Sequence, residues 1–147
     1  MAKFFPLNVK TVEKATDDCT VVSFDIPDDL SESFNYLPGQ HLTLKKMIGN
    51  EDVRRSYSLC SSPLEKQWKV AVKQIPQGKF STYINESLKE GDVLDVMPPS
   101  GLFGVKPDEK ASKNYAFFAA GSGITPILSM IKTHLALEPD SRCQLFY

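Results

Sequence analysis

Arg55-Ser56-Tyr57-Ser58 places an arginine, a tyrosine and two small hydroxyls at consecutive positions. A guanidinium is a planar fork that donates in parallel to two oxygens of a phosphate, and a tyrosine ring can lie against a flat heteroaromatic system. In an extended strand residues 55 and 57 project to one side and 56 and 58 to the other, so strand twist or a break in the ladder must bring all four to one ligand. Farther along, Gly78-Lys79-Phe80-Ser81-Thr82 opens a run with helical spacing. Gly78 permits close backbone approach, and the amides of Lys79, Phe80 and Ser81 would be unpaired donors at a helix start, where the dipole also attracts an anion. Taken singly, Arg55 reads as an exposed strand arginine and Ser81 as a capping or first-turn serine. Taken together, they favour one shared diphosphate.

A third segment, Gly121-Ser122-Gly123-Ile124-Thr125-Pro126, follows an apolar run and precedes a helical pattern. That is the setting of a dinucleotide loop, although Pro126 stands where the third glycine is usual. A proline in the first helical turn is tolerated because its missing donor would be unpaired there anyway. His41 and His134 have no carboxylate or cysteine partner at ligand spacing and read as structural or solvent-facing.

These segments need elements to hold them. Runs 9–13, 20–26, 40–45, 53–60, 68–74 and 93–97 are β-rich, which suits a barrel or sandwich. In the run 68–74 the alternation sets Trp68, Val70 and Val72 on one face and Lys69, Ala71 and Lys73 on the other. Between strands, Phe80, Ile84 and Leu88 mark a short helix bounded by Gly78 and Gly91. Residues 106–113 form a polar linker, after which the texture changes. The continuously apolar run 115–120 predicts a parallel strand buried on both faces. Ile124, Ile127, Leu128, Ile131 and Leu135 mark the packed side of a helix, and 143–147 a second apolar strand. The fold class is mainly β, followed by one βαβ unit.

At 147 residues, 41% apolar and 24% charged, the chain suits one well-packed core with a small appendage. A formal charge of -1 supplies no long-range attraction to nucleic acid or to an anionic membrane. The N-terminal Met1-Ala2-Lys3-Phe4-Phe5-Pro6 lacks the apolar stretch of a signal peptide or membrane helix, so a cytoplasmic location is expected. Cys19, Cys60 and Cys143 are odd in number and widely separated, which suits reduced structural thiols rather than disulfides or a metal site.

In order along the chain, Pro38-Gly39-Gln40, Arg55-Ser56-Tyr57-Ser58, Gly78-Lys79-Phe80-Ser81, Pro98-Ser100-Gly101-Phe103 and Gly121-Ser122-Gly123-Ile124-Thr125-Pro126 resemble the ferredoxin-NADP reductase superfamily. The likeness is nearest to reductase components of bacterial oxygenases of the phenylacetyl-CoA epoxidase kind. It implies a six-stranded antiparallel Greek-key FAD-binding barrel with one capping helix over residues 1–105, a linker at 106–113, and the incomplete start of an NAD(P)-binding domain at 114–147.

For the site, the resemblance implies that Arg55 binds the flavin phosphate, with Ser56 beside it, that Tyr57 contacts the ribityl chain or ring, and that Ser58 lies near flavin N5. It implies backbone contacts from Ala71, Val72 and Lys73, a pyrophosphate held at Gly78, Lys79, Phe80 and Ser81, and Thr125 meeting the isoalloxazine. Gly121, Ser122, Gly123, Thr125 and Pro126 would serve the nicotinamide nucleotide. FAD is the implied cofactor, NAD(P)H the substrate of a longer parent, and a 2Fe-2S centre belongs only to a further domain; the redox partner is that iron-sulfur domain or an oxygenase component. No acid-base dyad and no metal is called for. A chain of this extent is expected to bind FAD weakly, to oxidise NAD(P)H poorly by itself, and either to self-associate through its incomplete parallel sheet or to be poorly ordered over 114–147. A non-catalytic flavin-binding or regulatory module on the same barrel is the other reading.

Overall fold

The computed structural model describes residues 3–147. Met1 and Ala2, which begin the segment that argues against a targeting sequence, lie outside them. Six strands come first in space: β1 Phe5–Thr16, β2 Cys19–Phe24, β3 His41–Ile48, β4 Glu51–Ser58, β5 Trp68–Lys73 and β6 Val93–Ser100. They form one antiparallel sheet in the order β4-β3-β6-β1-β2-β5. The pairings β2 with β5 and β3 with β6 skip intervening strands, as a Greek key requires.

The two outer strands of that order, β4 and β5, meet at a single bridge, Leu59 with Val70, supported by the Cys60 amide donating to the Lys69 carbonyl at 2.9 Å. One bridge suffices to close the sheet into a barrel, yet it leaves the ladder between residues 55–58 and 71–73 unmade. Helix α1, Lys79–Glu86, caps the open end through Phe80, Ser81 and Ile84, with Leu88 just beyond it. The core these elements enclose includes Leu7, Val22, Phe34, Leu42, Leu44, Leu59, Val70, Val72 and Leu94. The alternation expected in β5 is seen directly: Val70 and Val72 are wholly buried, and Trp68 packs at the core margin with its indole N–H donating to the Phe34 carbonyl at 2.7 Å.

Beyond the barrel, β7 Asn114–Phe118 and β8 Arg142–Phe146 pair in parallel across helix α2, Ile124–Leu137. Two expectations are corrected here. Strand β7 is not buried on both faces: Phe117 is buried against Ile127 and Met130 of α2, whereas Phe118 is 72% exposed and stacks on Phe146 in the open. A single helix can cover only one face of a two-stranded sheet.

The packed side of α2 is only partly the aliphatic one: Ile127 is buried and Ile131 packs beside it, as expected, but Leu128 and Leu135 face solvent. The buried positions are Pro126, Ile127, Ser129, Met130, Thr133 and His134. Half of that face is polar because the barrel meets Ser129 and Thr133 with hydrogen-bonding groups, while His134 turns to Glu138 at the helix end. The barrel and α2 also touch at Gly39, where φ is +98° and an added Cβ would collide with the Phe103 carbonyl and crowd the Met130 side chain. Only a glycine lets the three segments come this close.

Candidate functional site

The unmade ladder between β4 and β5 is where the singled-out segments converge. Where paired strands part, both faces and the free edge of each become reachable, which answers how residues on opposite sides of β4 reach one ligand. The cleft has a volume of about 450 Å³ and is lined by Arg55, Ser56, Tyr57 and Ser58 from β4 and Ala71 and Lys73 from β5. The turn before α1 adds Ile75 and Gly78, α1 adds Phe80 and Ser81, and Ser122 and Thr125 close it from the start of α2.

The turn at Gly78 is held by short-range bonds. The Gly78 amide donates to the Ile75 carbonyl at 3.0 Å, and the Ser81 hydroxyl donates to the Gly78 carbonyl at 3.1 Å while accepting from the Ile75 amide at 3.2 Å. Ser81 thus braces the turn rather than capping the helix, and a Cβ at position 78 would collide with Ile75 and with the Ser81 hydroxyl. Helix α1 starts at Lys79 with no side-chain cap. Its first-turn amides, those of Lys79, Phe80 and Ser81, are the orphan donors of a helix N-terminus, and of these residues Phe80 and Ser81 line the cleft.

Above them, Tyr57 lies over Phe80, ring centroids 6.2 Å apart at 33°. Burial pushes the Tyr57 hydroxyl up from its ordinary range, against the pull of the nearby Arg55 charge, so it stays a neutral donor. Arg55 itself is exposed and uses one guanidinium nitrogen, Nη1, on the Arg54 carbonyl at 2.7 Å, which steadies the side chain and leaves most of its five donors free. Of the lining residues only Arg55 and Lys73 are charged, and Lys73 is shared with Asp18 at 3.3 Å. The cleft therefore presents a cation and uncapped amides without any carboxylate, a donor set matched to a phosphorylated anion.

Some singled-out residues lie elsewhere. The Lys79 side chain turns away to Glu51 at 2.5 Å, and Lys79 is not among the residues that line the cleft. Val72 points into the core, and its carbonyl accepts from Asn85 Nδ2 at 3.0 Å. Asn85 also bonds the Ser81 carbonyl and the Thr20 hydroxyl, tying α1 to two strands. Sequence reasoning missed it because a lone polar residue late in a short helix carries no signal. Ile75 was missed likewise.

Gly121 and Gly123 frame a tight 3-10 turn ahead of α2, Gly121 at φ +52°. In it the Thr125 hydroxyl donates to the Ser122 carbonyl at 2.9 Å. Neither glycine lines the cleft, nor does Pro126, which is buried on the packed side of α2.

The reading of His134 without a partner is corrected. One turn along α2 stands Glu138, whose carboxylate accepts from His134 Nδ1 at 2.8 Å, from the Tyr115 hydroxyl at 2.9 Å and from the Asp108 amide at 3.0 Å. This buried cluster braces the linker and is remote from the cleft. His41 meets Ser100 at 3.2 Å. The three cysteines are free, and no cluster of metal-ligating side chains occurs among the described residues. No helix there is long and apolar enough to cross a membrane.

The oxidoreductase FAD-binding domain family matches residues 6–104. Along its whole length the chain is 44% identical to one component of the 1,2-phenylacetyl-CoA epoxidase of Escherichia coli K12, covering 41% of that protein. Over 88% of its length it is 38% identical to the ferredoxin reductase component of the 3-ketosteroid-9-alpha-monooxygenase of Rhodococcus rhodochrous, 36% of which it covers. The chain thus spans about two-fifths of the curated relatives it matches. Among solved structures, phthalate dioxygenase reductase superposes on 98% of the chain with a TM-score of 0.74 at 30% identity, 43% of that structure being covered. The ferredoxin NADP+ reductase of Neisseria gonorrhoeae superposes on 99% of the chain and 58% of its own, with a TM-score of 0.77 at 20% identity, a likeness of fold. With residues 6–104, most of its length, matched by that family, this chain belongs to the oxidoreductase FAD-binding domain family.

Proposed function

We propose that this chain is the flavin-binding part of an NAD(P)H-dependent reductase that passes electrons to an iron-sulfur centre or an oxygenase component. The observation that carries this reading is the convergence of Arg55, the uncapped amides of α1 and the ring of Tyr57 on one cleft free of acidic residues. Residues 1–105 form the FAD domain, 106–113 the linker, and 114–147 the start of the nicotinamide-binding part. Bound FAD supplies two-electron acceptance from a nicotinamide and one-electron release, chemistry that no side chain has.

The residues around it bind and orient. Arg55 takes a phosphate with its fork, Ser56 supports it from its 2.8 Å contact with Thr43, and Tyr57 packs the flat ring system. Ser58 offers a hydroxyl at the reactive edge, while the free edge of β5 at Ala71, Val72 and Lys73 presents backbone groups to the polar edge. Gly78, Lys79, Phe80 and Ser81 hold the pyrophosphate by main-chain donation. Thr125 and Ser122 meet the ring system from α2, and with Gly121, Gly123 and Pro126 they shape the nicotinamide side. The exposed sheet face bearing Phe118 and Phe146 is a surface for association with another copy or with further polypeptide. We place the protein in the cytoplasm.

Titration of the purified chain with FAD, followed by anaerobic addition of dithionite, tests the assignment. Quenched flavin fluorescence with saturation at tens of micromolar, and reversible bleaching of the bound chromophore, are expected; about 10 µM corresponds to roughly 7 kcal/mol. No binding would overturn the reading, and a bound flavin that cannot be reduced would reassign the domain as a non-catalytic module.

A further inference from the structure

Helix α2 carries three hydroxyls one turn apart, Thr125, Ser129 and Thr133, on one stripe of its surface. The upper one lines the cleft, and the lower two are pinned to the barrel. The Ser129 hydroxyl donates to the Ser61 carbonyl at 2.6 Å. Thr133 donates to the Ser129 carbonyl at 2.6 Å, so in its 2.8 Å contact with Ser62 it is the acceptor and Ser62 the donor. Ser61, Ser62, Ser129 and Thr133 are all buried, at most 3% exposed.

The barrel side of this seam is itself rigid. Ser61 donates to the Gln67 carbonyl at 2.6 Å, and the buried Tyr36 hydroxyl closes on the same group of atoms. Ser62 caps the short turn Pro63–Glu65 in a reciprocal capping box with Glu65, and Lys132 of α2 pairs with that same Glu65 at 3.1 Å.

Apolar packing is non-directional and would let the helix slide or roll, whereas hydrogen bonds at these lengths admit one register and one rotation. We infer that the seam formed by the Ser61 carbonyl and the hydroxyls of Ser62, Ser129 and Thr133 is a positioning device that sets the rotation of α2 and so holds Thr125 and Ser122 against the flavin cleft. Since a helix is stiff over two turns, rotational play at 129 and 133 is delivered undiminished to position 125. The inference rests on the proposed flavin site, and it adds four residues outside the cleft to those that determine how the cleft closes.

A double-variant cycle tests it. Ser129→Ala with Thr133→Val removes both pins at nearly constant volume. FAD affinity should then fall roughly tenfold in the otherwise unchanged chain, and by less than about twofold when Ser122→Ala and Thr125→Ala have already removed the residues through which the seam acts. Thr133→Ser, which keeps the hydroxyl, should retain affinity. Trp68 fluorescence on urea unfolding reports that the barrel still folds. An equal loss in both backgrounds, or no loss in the first, overturns the positioning role. Should the unchanged chain take up no FAD, the functional reading fails separately, and amide hydrogen exchange at 122–126 then decides the seam: faster exchange in the double variant sustains it, and unchanged exchange overturns it.

Discussion

Replacing Arg55 by alanine separates the phosphate reading from the plain one, because its neighbour provides an internal control. Arg54 precedes it on β4, projects to the other side, and is engaged by Asp52 through two bonds of 3.0 and 2.7 Å. Arg55 has no carboxylate partner among the described residues and spends one nitrogen on the Arg54 carbonyl, so its fork is available to an anion. A hydrogen bond to a charged partner contributes about 1.5 to 3 kcal/mol. Arg55 is exposed, so solvent screening holds even a two-pronged contact within that range.

Arg55→Ala should therefore weaken FAD binding by roughly 10- to 150-fold. Arg55→Lys, which keeps the charge and loses the fork, should fall between. Arg54→Ala should leave the affinity within about twofold, since it severs only a surface pair. The assay is flavin fluorescence quenching at low and high salt. Added salt should weaken the unchanged chain more than Arg55→Ala, whose ionic contribution is already gone. Equal affinities for the unchanged chain and Arg55→Ala, or equal losses for the two alanine variants, would refute the role of the fork.

Gly78→Ala should raise the dissociation constant for FAD about tenfold or more in the same titration, because the new methyl displaces Ile75 or Ser81 and opens the turn that aims the amides. Ser81→Ala leaves the Ile75 amide without its 3.2 Å acceptor and should cost about 1 to 2 kcal/mol of stability in urea unfolding followed by Trp68 fluorescence. Burial alone would raise the Glu138 carboxyl, but the Asp108 amide, His134 and Tyr115 outweigh it and hold it at about 2. A depressed folded-state value stabilises above the ordinary carboxylate range and is lost as pH falls toward about 2, so melting temperature should drop more steeply below about pH 5 in the unchanged chain than in Glu138→Gln.

Much of the site was legible because its chemistry is local. The Arg55–Ser58 run, the Gly78 turn and the Ser122–Thr125 loop each set their candidate binding groups on adjacent residues, and all three line one cleft. The β5 alternation and the Phe80, Ile84, Leu88 spacing were legible for the same reason, since strand and helix periods are written into nearest neighbours. What could not be read depends on distant surfaces. Ser129 and Thr133 carry no apolar signal, and their burial depends on the Ser61 carbonyl and the Ser62 hydroxyl that meet them from the barrel. The His134–Glu138 spacing was visible as i to i+4, but the burial that joins it to Tyr115 comes from β7 and the linker. Strand β7 was read as doubly covered because an apolar run shows what a strand can bury and not how many layers are there to bury it.

The interruption between β4 and β5 explains why one barrel can serve as both a stable core and a binding site. An antiparallel ladder normally satisfies its own donors and acceptors, and continuing it past Leu59 and Val70 would pair residues 56–58 with 71–73 and seal the gap. The barrel instead closes at that bridge, buries Leu59 and Val70 completely beside it, and lets α1 replace the missing strand contacts at the open end through Phe80, Ile84 and Asn85. Stability is thus supplied behind the gap and not across it. The unpaired strand edges, the uncapped helix start and the Arg55 fork with no carboxylate partner are left to water in the free chain. They lie on the same 450 Å³ of space, so one ligand with a flat ring and a diphosphate can satisfy them at once, whereas separate small anions would leave most of them open.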